Sequence, residues 1–212
     1  MDREVINLVS QVIVDKNDPS IKDPTKYVGA RYSAEKAKSL AEKFGWSVKE
    51  QEPGQSRRVV PSSMPECIMH GKSIKTLVDR GTIVIASGGG GISVYNDPSG
   101  HLEGLDAVID KDYSAAKMGR IICAEELWII TDVKYVYRNF GSPEQTPIRE
   151  ITRMETKELY KNGEFQKGSI GQKIRAAIYF LKYQGEKVII TSIPGIKDAF
   201  KGNAGTTIRN YA

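Results

Sequence analysis

The chain has 212 residues, 40% of them hydrophobic and 27% charged. This length suits one large domain, or one domain carrying a smaller insertion, with a core that needs no staples; the composition excludes a disordered tail, a collagen, a coiled coil and a disulfide scaffold. Lys and Arg number 31 against 26 Asp and Glu, a net charge of +5 that is spread along the chain, which argues against a nucleic-acid arm and suits an anionic small substrate as well as an ordinary mixed surface.

The opening MDREVINLVSQ lacks a basic stretch followed by an apolar one, so no secretion signal is expected. Residues 5–14, VINLVSQVIV, are rich in β-branched residues and predict one buried strand. No earlier helix or strand accompanies it, so the sheet reads as beginning in its middle. Asp18-Pro19 and Asp23-Pro24 break regular structure. From Ser33, SAEKAKSLAEKF predicts a helix with Ala37, Leu40, Ala41 and Phe44 on one face and Gly45 as its cap. WSVKEQ and RRVVP are strand-like pieces around Pro53-Gly54. From about residue 18 to 66 the pattern is short, polar and turn-rich, as expected of a small inserted subdomain.

The rhythm then changes. SIKTLVDRG predicts a helix and TIVIAS an apolar strand, followed by Gly88-Gly89-Gly90-Gly91. AVI (107–109) is strand-like, DYSAAKMGRIICAEE helical and LWIITDV an apolar strand. TRMETKELYKNG and SIGQKIRAAIYFLKYQG are helices, KVIITS a strand, PGIKDAF a short helix and TTI a last strand. Apolar strands alternating with helices predict an α/β fold with a mostly parallel sheet and helices on both faces. The uncharged run Gly81–Asn96 is too glycine-rich for a membrane helix. Cys67 and Cys123 form no CxxC pair and read as inert thiols in a reducing compartment, so the protein is expected in the cytoplasm, with no membrane partner.

Ligands of open parallel sheets sit beyond the carboxyl ends of the strands. There the sequence places the tetraglycine, Asp110-Lys111-Asp112 and Thr131-Asp132-Val133, with Gly168-Ser169-Ile170-Gly171-Gln172-Lys173 opening a helix. The tetraglycine would let backbone amides approach an anion, or be a flexible hairpin; it is neither GxGxxG nor a P-loop. Lys173, in the first turn of a helix, faces an unfavourable dipole that a bound phosphate would reverse; it is otherwise a solvated lysine. Asp112 is either a helix-start charge or a carboxylate that steadies lysines against a transferring phosphoryl group. His70 and His101 read as surface residues, Met64 and Met69 as packing. No catalytic triad and no metal-ligating set can be placed.

Taken together, VDKNDP (14–19), DPTKYVG (23–29), RRVVPS (57–62), IVIASGGGG (83–91), AVIDKD (107–112), TDV (131–133), GSIGQK (168–173) and AGTTI (204–208) resemble, in order, the carbamate kinases of the amino acid kinase superfamily. The resemblance implies a three-layer αβα sandwich over residues 1–212, with the 18–66 insertion as a protruding α+β subdomain. It implies Mg-dependent phosphoryl exchange between ATP and carbamate, giving ADP and carbamoyl phosphate, and running toward ATP in arginine fermentation. By motif position, Lys26 is the subdomain lysine that reaches the phosphoryl group, Lys111 a second phosphate-binding lysine, Asp112 the organising aspartate and Lys173 the lysine on the terminal phosphate. Gly88, Gly89, Gly90, Thr131, Asp132, Val133, Tyr137, Ser169 and Gly171 are implied at the nucleotide, and a homodimer is implied as the assembly.

Four motifs depart from the family pattern. Ser93 replaces a proline, DPTKYVG and GSIGQK each differ at one or two positions, and TDVKYVY places Tyr135 where a glycine is usual, which predicts strain in a turn wanting positive φ. The glycine-rich GGNA and GNGPQVG segments of the family are absent. A nucleotide-binding remnant, or one chain of a pair whose amino-terminal half is separate, is therefore the alternative to an active kinase. Another kinase of the superfamily is a third reading. Nucleic-acid binding ranks last, for want of a strong basic surface motif.

Overall fold

The structure, a computed structural model, describes residues 2–165, 169–183 and 185–211. In chain order it forms β1 (Val5–Leu8), β2 (Gln11–Val14), α1 (Pro19–Lys22), β3 (Lys26–Ser33), α2 (Ala34–Phe44), β4 (Val48–Glu52), β5 (Gln55–Val60), β6 (Ser62–Ser63) and β7 (Pro65–Ile68). Next come α3 (Gly71–Asp79), β8 (Ile83–Ala86), β9 (Ile92–Asn96), β10 (Leu102–Gly104), β11 (Val108–Ile109) and α4 (Lys111–Ile122). The last part holds β12 (Glu126–Thr131), β13 (Val136–Arg138), β14 (Thr146–Ile148), β15 (Glu150–Thr152), α5 (Arg153–Lys161), α6 (Ile170–Lys182), β16 (Lys187–Ser192), α7 (Ile196–Phe200) and β17 (Thr206–Arg209). This is the expected α/β alternation. No helix among the described residues is long and apolar enough to cross a membrane.

Two compact units divide the chain: Met1–Asn7, His70–Ile85 and Asp112–Ala212 form the first, and Leu8–Met69 with Ala86–Lys111 the second. The first is built on the sheet β12-β16-β17-β15. Successive side chains of a strand face opposite sides, and the core follows that rule. Leu127, Ile129, Val188 and Ile190 pack with Ile174, Ala177, Phe180 and Leu181 of α6 in one cluster. Ile189 packs with Ala199 of α7 and Ala204, joined by Trp128. Helices therefore cover both faces. β12 is parallel to β16 and β15 to β17, but β17 runs antiparallel to β16, so the sheet is mixed.

The AGTTI segment opens β17 at close quarters with β16. Gly205 takes φ 81°, and a Cβ there would stand 3.1 Å from the Ile190 carbonyl. Thr206 is fully buried; its hydroxyl donates to the Ile148 carbonyl and accepts from the Val136 amide, tying the β13–β14 hairpin to the sheet. In the same unit β1 pairs with β8, and Val5, Ile83 and Ile85 are exposed.

In the second unit β2 lies between β7, antiparallel, and β9, parallel. The expected single strand over residues 5–14 is two strands instead. Val9 is 72% exposed and Ser10 1%, so the alternation runs on in phase, and the break falls where the pairing partners change from β8 to β7 and β9. The Ser10 carbonyl accepts from the Ile92 amide, and β2 starts afresh one residue later. β9 and β10 form a hairpin that Asp97 closes by accepting from the amides of Ser99 and His101, as an Asp at the head of a turn does. β3, β5 and β4 make a three-stranded antiparallel sheet. α2 is capped as expected: the Ser33 hydroxyl accepts from the Lys36 amide, and Gly45 is left-handed at φ 66°. The Asp18 carboxylate accepts from the amides of Ser20 and Met64, closing the ends of the 18–66 segment on one side chain.

The tetraglycine separates into two pairs. A Cβ on Gly90 would lie 2.5 Å from the Ile109 carbonyl oxygen, and one on Gly91 2.3 Å from Val12 Cγ2. Gly90 and Gly91 also hold φ of 135° and 108°; Gly88 holds φ 45° but, like Gly89, has nothing within 4 Å of a Cβ. Packing demands the second pair only. Gly91→Ala is expected to destabilise the protein by about 2–4 kcal/mol through overpacking and backbone strain. Gly89→Ala is expected to stay within about 0.5 kcal/mol of wild type. Urea unfolding measures both, and equal midpoints for the two variants would overturn the steric account.

Candidate functional site

α6 buries one side through residues 173, 174, 176, 177, 180 and 181, the spacing of a single helix face. Lys173 belongs to that face and is only 4% exposed. Its Nζ lies 3.0 Å from Oδ2 of Asp112, itself 8% exposed. Asp112 stands in the first turn of α4, where the helix dipole favours a carboxylate. The lysine near the positive end of α6 is thus compensated by an aspartate from the start of another helix. Such a pair sheds its water at a cost of several kcal/mol per ion, so geometry and charge are both fixed once it forms.

A cavity of about 170 Å³ lies in the same unit. Its wall includes Thr131 at the end of β12, Asp132 and Val133 just beyond it, Tyr137 of β13, and Ser169 and Ile170 at the start of α6. Ser169 occupies the N-cap position of α6 without a side-chain cap bond. The Thr131 hydroxyl donates to the Asp132 carboxylate at 2.9 Å. That bond, then a backbone amide, then the positive charge of Lys173 hold the Asp132 carboxyl below its ordinary 3.8.

Tyr135, Val136, Phe140, Glu164 and Phe165 complete the wall and were missed in the sequence. A Gly141 turn signal and the KNG helix end were their available signals. Asn162-Gly163 closes α5 with Gly163 at φ 83°; the amides of Gly163 and Glu164 bond to the carbonyls of Tyr160 and Leu159. That Schellman closure fixes where Glu164 and Phe165 emerge. The expected strain at Tyr135 is absent: the positive φ in this segment falls on Asn139, at 52°.

Gly171 is a close-approach glycine, since a Cβ would stand 2.7 Å from the Phe165 carbonyl oxygen. Gly168 lies outside the described residues. Lys26, half-buried at the start of β3, belongs to the second unit with the exposed Gly88 and Gly89, the buried Gly90 and the exposed Lys111. His70 and His101 are exposed, as are the free thiols of Cys67 and Cys123.

Lys173→Ala is expected to lose about 3–5 kcal/mol, because it strands a buried carboxylate. Removing both charges with Lys173→Met and Asp112→Leu should recover most of that. Chemical denaturation reads both, and a single variant that loses under about 1 kcal/mol would contradict the buried pair. A second expectation concerns protonation. A depressed carboxyl pKa contributes stability above the ordinary value and loses it as pH falls through the depressed one. Thr131→Val should raise the Asp132 pKa toward 3.8, and an unchanged carboxyl titration by NMR would refute the hydroxyl as its main cause.

Comparison with known proteins places this geometry. The model of the amino acid kinase family matches residues 7–192. Carbamate kinase of Pyrococcus furiosus is 41% identical over 208 residues, which cover 98% of this chain and 66% of that protein. Carbamate kinase of Staphylococcus haemolyticus is 40% identical over 210 residues, 99% of this chain and 68% of that protein. The structure of carbamate kinase from Giardia lamblia bound to AMP-PNP superposes with a TM-score of 0.87 at 36% identity, over 98% of this chain and 66% of that one. The chain therefore spans about two thirds of the length of these relatives. Both the motifs in the sequence and the fold they build lead to one assignment: the chain belongs to the amino acid kinase family, on its carbamate kinase branch.

Proposed function

We propose that the chain takes part in phosphoryl exchange between ATP and carbamate, with ADP and carbamoyl phosphate as the opposite pair. The observation that carries the reading is the buried Lys173–Asp112 pair on the helix whose start lines the cavity. Transfer of a phosphoryl group asks little covalent chemistry of a protein; it asks for alignment and for positive charge on the equatorial oxygens. In this reading Lys173, steadied by Asp112, meets the terminal phosphate of the nucleotide. Lys111 and Lys26 supply further positive charge, and the amides of Gly88, Gly89 and Gly90 approach the anion. Thr131, Asp132, Val133, Tyr137, Ser169 and Gly171 hold the nucleotide itself. The phosphoryl group leaves one oxygen, of ADP or of carbamate, as it joins the other.

Mg²⁺ fits this scheme as a companion of the nucleotide. It usually binds through one or two carboxylates, water and phosphate oxygens. Among the described residues no group of three or more His, Cys, Asp and Glu is arranged to hold a metal, so phosphate would supply much of its coordination. Flow toward ATP in arginine fermentation, a cytoplasmic setting and a homodimeric assembly belong to the same proposal.

A second reading is nucleotide binding without transfer. It is favoured by one observation: the cavity and the ion pair lie wholly within the first unit. ATP formation from ADP and carbamoyl phosphate, with wild type, Lys111→Ala and Lys173→Ala, decides the matter. Loss of about 10²–10³ in rate is expected for each variant, with thermal melts to separate lost folding from lost chemistry. Equal rates in all three would overturn the site. Calorimetric ADP binding by a wild type that forms no ATP would establish the second reading instead.

A further inference from the structure

Glu164 belongs to no motif, yet its carboxylate occupies a distinctive place. It follows the left-handed Gly163 that closes α5, so the helix end fixes its backbone. Its Oε1 accepts from the Asn139 amide at 2.5 Å, across 25 residues of sequence. Asn139 is the residue with φ 52° in the turn after β13. On either side of it stand Tyr137 and Phe140, whose ring centroids are 6.1 Å apart and which both line the cavity.

Along an uninterrupted strand, residues 137 and 140 would face opposite sides, because side chains alternate with a period of two. The left-handed residue between them turns Phe140 back to the side of Tyr137. A left-handed conformation is uncommon outside glycine, though asparagine tolerates it better than most. A hydrogen bond to a charged acceptor is among the stronger ones available to hold it.

We infer that Glu164 is a positioning residue: by pinning the Asn139 amide it sets the Tyr137–Phe140 wall, and through that wall the affinity of the cavity for the base of a nucleotide. The inference rests on the reading of the cavity as a nucleotide site. Aromatic faces stack on a base and ignore a phosphate, so Glu164 governs the base end of the ligand and leaves the polyphosphate end to lysine.

The test is calorimetric titration of wild type, Glu164→Ala and Glu164→Gln with ADP and, separately, with pyrophosphate. Glu164→Ala is expected to bind ADP about tenfold more weakly while pyrophosphate binding is unchanged. Glu164→Gln, which keeps the acceptor oxygen, is expected to restore ADP binding to near wild type. An alanine variant that binds ADP like wild type overturns the inference and leaves the nucleotide reading intact. So does an equal loss for both ligands, or a glutamine variant as weak as alanine. A folded wild type that binds no ADP overturns the nucleotide reading, and the inference with it.

Discussion

A charge is held out of water in this fold, and much of the rest makes sense around that fact. Lys173 and Asp112 meet across the first turns of two helices, both nearly inaccessible. Ion pairs of this kind are poor devices for stability, since an apolar pair of the same volume often serves as well. What they do supply is an ammonium group with one orientation, in surroundings where water screens it weakly. The field of Lys173 already reaches outward, since it contributes to the depressed pKa of Asp132.

Around this pair, backbone devices rather than side-chain chemistry shape the cavity. Gly171 lets α6 press on the Phe165 carbonyl. The Thr206 hydroxyl serves two strands of the β13–β14 hairpin at once, donating to one and accepting from the other. The Gly163 closure delivers Glu164 to the hairpin turn. Each is a local solution to a hydrogen-bonding or steric demand, and together they bring four aromatic residues, Tyr135, Tyr137, Phe140 and Phe165, to one hollow.

Much of this was legible before any coordinates. Ser33 and Gly45 mark the ends of α2 by chemistry that acts within a few residues, and the helix begins and ends beside them. The apolar strands LWII and VII were equally plain, although only VII is buried on both faces and Ile130 of LWII is 40% exposed. Lys173 and Asp112 were marked by their motifs, although nothing local says that they touch over 61 residues. Less was legible where tertiary contact decides. The break at Val9-Ser10 interrupts a run whose alternation is continuous, because the strand partners change there. The antiparallel course of β17 beside β16 is a pairing no window of sequence contains. Glu164 was invisible because a carboxylate just past a helix end looks like any solvated surface charge.

The divided tetraglycine carries a lesson for tracing ancestry. Gly90 and Gly91 are locked by Ile109 and Val12, so their persistence in a lineage would testify to packing even after every trace of catalysis had drifted away. Gly88 and Gly89 meet no such wall. At Gly89, which has neither a wall nor a positive φ, an exchange for alanine or serine would pass without cost to the packing.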